Sequence, residues 1–156
     1  MSKIAVLDTS FITNWKSPDK TKEEQEKYDL FENLIKQKKI IIAIPTPVIT
    51  ELLSGPVKKV SNEVLGKNIK VLPFDYRASI ECADIFGYKN KQKEPEGSKA
   101  KIKFDCQIIA IAKANNITTI YTDDEQLTKR AKKLGIEVIS SEELPLDCLL
   151  YTSDAA

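Results

Sequence analysis

The sequence predicts a three-layer α/β/α sandwich with a central parallel sheet, and three observations carry that expectation. Five short β-branched runs are apolar almost throughout, as strands covered on both faces must be. Helix-like stretches alternate with them, the pattern of a parallel sheet joined by crossovers. At 156 residues, with 42% hydrophobic and 30% charged residues and no internal repeat, the chain has the size and composition of one domain around one core.

Residues 3–7 (KIAVL) read as the first strand and residues 22–38 as the first long helix, with Tyr28, Phe31, Leu34 and Ile35 at helical spacing. Residues 40–44 (IIIAI) form the second strand. The helix over 46–53 opens on Thr46-Pro47, a cap followed by proline at the first helical position, and stops at Gly55-Pro56. A third strand at 69–72 and a helix at 76–88 follow. The polar stretch from Lys89 to Ser98 (KNKQKEPEGS) reads as a surface connection into a helix at 99–114, which is apolar nearly all round from Ile108 to Ala112. Strand 117–121, helix 124–134 with its stop signal at Gly135, and strand 136–139 close the domain, taken as residues 1–147. The last nine residues, Cys148 to Ala156, resemble the translated end of a sequencing-library adapter and are read as a non-native tail.

The chain has no histidine, which excludes Ser–His–Asp and Cys–His relays, histidine-ligated zinc and histidine acid–base chemistry. Cys82, Cys106 and Cys148 are odd in number and lack the close pairing of a metal knuckle, so they read as buried thiols. A net charge of +1 favours neither nucleic acid nor membrane on its own. No apolar run reaches the roughly 18 residues that a spanning helix needs, and Met1-Ser-Lys leads directly into a strand, so a cytoplasmic location is expected.

Carboxylate chemistry remains. Asp8 follows the first strand; Asp123 and Asp124 follow the fourth, beside Thr122; Glu51 and Asp105 sit early in helices. In open parallel sheets ligands bind at the carboxyl ends of the strands, near a switch in strand order, and the topology draws these segments to that edge. Singly, each acid has an ordinary explanation. Asp8 is a cap for a short helix, Glu51 a solvated helix residue, Asp105 an acid favoured by the helix dipole, and Asp123 and Asp124 a turn with an N-cap. Together they repel, by about 4 kcal/mol for a pair roughly 4 Å apart at an effective dielectric near 20, so such a cluster protonates or binds a cation. Oxygen-only donors favour Mg²⁺ or Mn²⁺.

LDTSFI at 7–12, PTPVITELLSG at 45–55, KIKFDCQIIAIAKANNITTIYTDD at 101–124 and LGIEVI at 134–139 resemble PIN domains, the nuclease fold shared by VapC-type toxins and RNA-processing enzymes. The order and spacing of these segments, over residues 3–139, carry the resemblance. By that resemblance Asp8, Glu51 and Asp105 match the first three acids of the family site, and Asp123 and Asp124 both qualify for the fourth, with Ser10 or Thr122 as a polar support. Residues 14–28 depart from the pattern as a longer first connection. The resemblance implies a ribonuclease with one or two divalent ions, water as nucleophile and products with a 5′-phosphate and a 3′-hydroxyl. It also implies a toxin held by a cognate antitoxin, and a homodimer.

Six lysines between residues 89 and 103, against two glutamates, form a basic approach to Asp105, of which Lys99, Lys101 and Lys103 are the expected RNA contacts. Lys129, Arg130, Lys132 and Lys133 form a second basic cluster whose ordinary reading is a solvated face. Phe74, Phe86 and Phe104 fit core positions, while Trp15 and Tyr88 lie next to polar loops where a base can stack. Leu144, Leu146, Leu149 and Leu150 are expected to be half-exposed. Three other readings compete: a housekeeping RNA-processing nuclease, a non-catalytic module that binds RNA or protein, and a receiver-like or haloacid-dehalogenase-like phosphoryl-transfer domain. The dehalogenase-like fold uses Asp-x-Asp after its first strand, where this chain has Asp8-Thr9-Ser10.

Overall fold

The computed structural model describes residues 2–55, 69–92 and 98–145, with side chains for all of these except 88–92. The side chains of Tyr88, Lys89 and Lys91, residue Lys93, and residues 146–156 with Cys148 lie outside what it describes. Five parallel strands form one sheet in the order β3-β2-β1-β4-β5: β1 Lys3–Leu7, β2 Ile40–Pro45, β3 Ile69–Leu72, β4 Thr119–Tyr121 and β5 Glu137–Ile139. The chain winds outward from β1 to β3 on one side, then returns to lay β4 and β5 on the other. The switch in direction falls between β1 and β4, where an open parallel sheet forms its crevice.

Six α-helices accompany the sheet among the described residues: α1 Thr9–Trp15, α2 Lys22–Lys36, α3 Thr46–Ser54, α4 Tyr76–Gln92, α5 Lys99–Ala114 and α6 Glu125–Lys133. Their ends follow local chemistry. Thr21 and Glu24 form a reciprocal capping box at the start of α2, Ser98 accepts from Lys101 N at the start of α5, and Asp124 accepts from Leu127 N at the start of α6. Gly135, at φ +79°, takes the left-handed turn after α6.

The fourth strand is shorter than its apolar run predicts. Asn116 turns left-handed at φ 55° and Ile117 N donates to Ala112 O at 2.9 Å, so Ile117 closes α5 instead of opening β4. Residues 9–15, which lead into the long first connection, form α1. Phe11, Phe31 and Tyr121 have ring centroids 5.3 Å apart, joined by Trp15 at 5.3 Å from Phe31. Trp15 is therefore core rather than a base-stacking platform: it is buried, and its indole N–H donates to Glu32 at 3.0 Å. Leu144 is also buried, against the expectation of half-exposure. Phe74, Phe86 and Phe104 pack against the core, and Cys82 and Cys106 are buried free thiols. Among the described residues no helix is long and apolar enough to cross a membrane.

Candidate active site

The carboxyl ends of β1 and β4 are tied together where the crevice opens: Asp8 N donates to Tyr121 O at 3.1 Å. Asp8 occupies the N-cap position of α1, yet its side chain makes no capping bond. Its Oδ2 instead accepts from Ser10 Oγ at 2.8 Å and from Thr122 Oγ1 at 2.7 Å. Each hydroxyl directs its single proton to Asp8, and each accepts a backbone N–H at 3.0 Å, Ser10 from Asp123 and Thr122 from Asp124. The two loops are thereby clamped to one carboxylate that is 3% exposed.

Asp105 lies in the second turn of α5 and is fully buried. Arg130 from α6, itself buried, donates to its Oδ2 at 2.5 Å, and the Lys101 ammonium lies 3.0 Å from its Oδ1. That Oδ1 has the Lys101 ammonium as its polar partner. Burial, the largest influence, raises the Asp105 pKa above its ordinary value, against the lowering pull of Lys101 and Arg130.

Lys101 also lies 2.8 Å from Asp124 Oδ2, bridging the two acids. Burial alone would lower its pKa, but Asp124 and Asp105 more than offset this and raise it, so the ammonium stays charged. For Asp124, desolvation is outweighed by Lys101 and by the Leu127 N–H, and its pKa is lowered. Glu51 faces solvent from α3. Partial burial and then the Asp8 charge raise its pKa, Lys101 and the neighbouring Thr9 hydroxyl lower it, and Asp105 raises it again. Contacts link Asp105 to Asp124 through Lys101, and Asp124 to Asp8 through Thr122, while Glu51 on α3 feels the charges of Asp8, Lys101 and Asp105.

Asp123 is turned away. Its Oδ2 accepts from Asn14 at 2.7 Å, and its Oδ1 from Ser141 N and Oγ at 2.7 and 2.9 Å, tying α1 to the turn after β5. Two cavities flank the acids. One of about 450 Å³ is lined by Asn14, Asp123, Glu125 and Ser141, and one of about 400 Å³ by Thr46, Glu51, Phe104 and Gln107.

Two basic clusters read from the sequence divide in the structure. Residues two apart on a helix are separated by about 200° around its axis, so Lys99 and Lys103 are exposed while Lys101 between them points into the acids. Likewise Lys129, Lys132 and Lys133 are exposed, but Arg130 is a buried partner of Asp105 rather than part of a solvated basic face. Sequence reasoning also missed Asn14 and Ser141 as the supports of Asp123, whose contacts span 109 and 18 positions.

The donor set suits a hard divalent cation in kind: oxygen only, with a buried Asp105 oxygen that already attracts an ammonium. Among the described residues, however, no group of three or more acidic or sulfur side chains is gathered into a ready-made cage.

Residues 5–133 match the PIN domain family. The chain belongs to that family. PIN domains are in general nucleases, and the sandwich predicted from the strand–helix alternation is theirs. The fold is shared with VapBC2 from Rickettsia felis, crystallised on a DNA fragment from its promoter, at TM-score 0.63 and 16% identity over 88% of this chain and 98% of that one. DNA-bound VapBC from Salmonella typhimurium gives TM-score 0.62 and 19% identity over 90% and 99%. VapC20 of Mycobacterium tuberculosis, a toxin that cleaves the sarcin-ricin loop, gives 0.54 and 14% over 80% and 93%. No curated protein sequence matches the chain significantly.

Proposed function

We propose that this PIN domain is a ribonuclease that hydrolyses phosphodiester bonds with Mg²⁺ or Mn²⁺, acting as the toxin of a toxin–antitoxin pair. The observation that carries this reading is the linkage of Asp8, Asp105 and Asp124 beside the β1–β4 crevice through Thr122 and Lys101, with Glu51 within reach of their charges. A family without an enzymatic use for the site has no physical reason to keep repelling carboxylates together.

In this reading Asp8, Glu51 and Asp105 hold the cation and Asp124 completes its charge environment. A bound divalent ion supplies an activated water and screens the phosphate. Ser10 and Thr122 fix the direction of Asp8. One of these carboxylates takes the proton of the attacking water. Asp123 maintains the loop between α1 and the turn at Ser141 rather than touching the cation. Lys99 and Lys103, exposed on α5, attract the RNA backbone toward the acids. Because water attacks, the ribose 2′-hydroxyl takes no part. The VapBC complexes that share the fold support a cognate antitoxin as partner, and a homodimer is consistent with that family reading.

The test is cleavage of a pool of small structured RNAs with Mn²⁺, Mg²⁺ or EDTA, beside Asp8→Asn and Glu51→Gln. These variants avoid Asp105, whose neutralisation would leave Arg130 in a buried site without its counter-charge. Cutting that requires the ion and is lost in both variants supports the reading; equal cutting by all three proteins overturns it.

One observation favours a second reading, a non-catalytic binding module. Lys101 and Arg130 already neutralise part of the cluster, as a purely structural ion network would. Failure of the protein to bind Mn²⁺ would select that reading.

A further inference from the structure

A groove of about 400 Å³ runs between α3 and α5, lined by Thr50, Glu51 and Ser54 on one wall and by Phe104 and Gln107 on the other. That volume falls in the roughly 300–1,000 Å³ range of small-ligand sites. Contacts join the groove to the acids. The Phe104 ring centroid lies 5.7 Å from the Lys101 ammonium, which is itself 3.0 Å from Asp105 and 2.8 Å from Asp124.

Successive residues of an α-helix are about 100° apart around its axis, so from Lys99 the positions of Lys103, Gln107, Phe104, Lys101 and Asp105 fall at about 40, 80, 140, 200 and 240°. The path around α5 therefore runs from two exposed lysines, over Gln107 and Phe104, to the ammonium and the acids. The groove stands between a basic surface that attracts a phosphate backbone and the carboxylates.

Its α3 wall consists of acceptors. Thr50 Oγ1 donates its proton to Thr46 O at 3.2 Å and Ser54 Oγ to Thr50 O at 2.7 Å, both within the helix, and Glu51 adds a carboxylate. Such a wall repels phosphate and receives N–H groups. Opposite it, Phe104 and Gln107 are half-buried and line the groove. An aromatic ring beside an amide matches the flat face and polar edge of a nucleobase, and a glutamine amide pairs well with adenine. Exposed lysines next to an acceptor-rich wall fit a strand with an anionic backbone and N–H-bearing bases better than the apolar helix of a protein partner.

We infer that this groove is a nucleotide subsite, in which an unstacked base lies on Phe104 with its edge on the Gln107 amide while Lys99 and Lys103 hold the backbone outside. This rests on the ribonuclease reading above and says where its substrate lies.

The experiment is fluorescence anisotropy of the full chain in EDTA with two short oligoribonucleotides of equal length, one of adenosine and one abasic, with thermal unfolding to show that each variant is folded. The wild type and Phe104→Tyr should bind the adenosine strand about tenfold or more tightly than the abasic one. Phe104→Leu should lose about tenfold for the adenosine strand and nothing for the abasic strand, whereas the Lys99→Ala, Lys103→Ala double variant should weaken both alike. Gln107→Leu, at a half-buried position, should lose about threefold for the adenosine strand alone, which keeps the inference open to refutation should Phe104→Leu not fold. Equal binding of the two strands by the wild type, or unchanged preference for adenosine in both Phe104→Leu and Gln107→Leu, would overturn the inference and leave the groove to a protein partner. If Mn²⁺-dependent cleavage of the RNA pool persists in that case, the ribonuclease reading stands; a wild type that neither binds a strand nor cleaves the pool overturns both.

Discussion

Asp8 and Asp105 lie in one cluster and are almost equally removed from water, yet one is held by hydroxyls and the other by cations. The difference follows from what each neighbouring element supplies. Asp8 ends β1 and faces the loop after β4, where Ser10 and Thr122 fix its orientation without cancelling its charge. Asp105 lies inside the apolar body of α5, where burial raises its pKa and the Lys101 and Arg130 cations oppose that rise. The hydroxyl side thus fixes a carboxylate with no cation in contact among the described residues, while the cation side is an ion network that joins α5 to α6.

Removing Arg130 should break the comparison most severely. Arg130→Met leaves Asp105 buried with only Lys101 near it, and the unfolding free energy measured by urea denaturation should fall by about 3–5 kcal/mol. Adding Asp105→Asn should recover a large part of that loss, since the double variant no longer buries an uncompensated charge. A fall under about 1 kcal/mol for Arg130→Met alone would mean that water or Lys101 already solvates Asp105.

The hydroxyl side should respond more gently. Thr122→Val removes the 2.7 Å bond to Asp8 and the acceptor for Asp124 N, in a fully buried position. A loss of about 1–3 kcal/mol is expected, together with weaker Mn²⁺ binding, because Asp8 loses one of its two orienting donors. Full Mn²⁺ affinity in a destabilised Thr122→Val would assign the hydroxyl to folding alone.

The two sides were also unequally legible in the sequence. Asp8 and Thr122 could be read because each directly follows an apolar strand, with Ser10 two residues beyond Asp8, and parallel alternation brings those strand ends together. Lys101 and Asp105 carried a readable signal, an i,i+4 spacing that puts both on one helix face, but the density of lysines around them favoured an RNA-facing reading. The pairing of Arg130 with Asp105 had no local signature, since it depends on how α6 packs against α5 across 25 residues. Arg130 was camouflaged by exposed lysines at 129, 132 and 133 on an amphipathic helix. The choice between Asp123 and Asp124 was equally hidden: adjacent residues point apart, and only the positions of Asn14 and Ser141 determine which one leaves the cluster. For the fold itself, the apolar runs placed all five strands, and the misjudged edge at Ile117 arose because the same β-branched residue serves a helix stop and a strand start equally well.

The claim that the Asp8 side is a hydrolytic metal site is tested most directly by the ends of the RNA it produces. Mn²⁺-dependent cleavage products should carry a 5′-phosphate and a 3′-hydroxyl, and should ligate without prior phosphatase or kinase treatment. Products ending in a 2′,3′-cyclic phosphate would show that the ribose hydroxyl attacks, and would contradict water activation by these carboxylates.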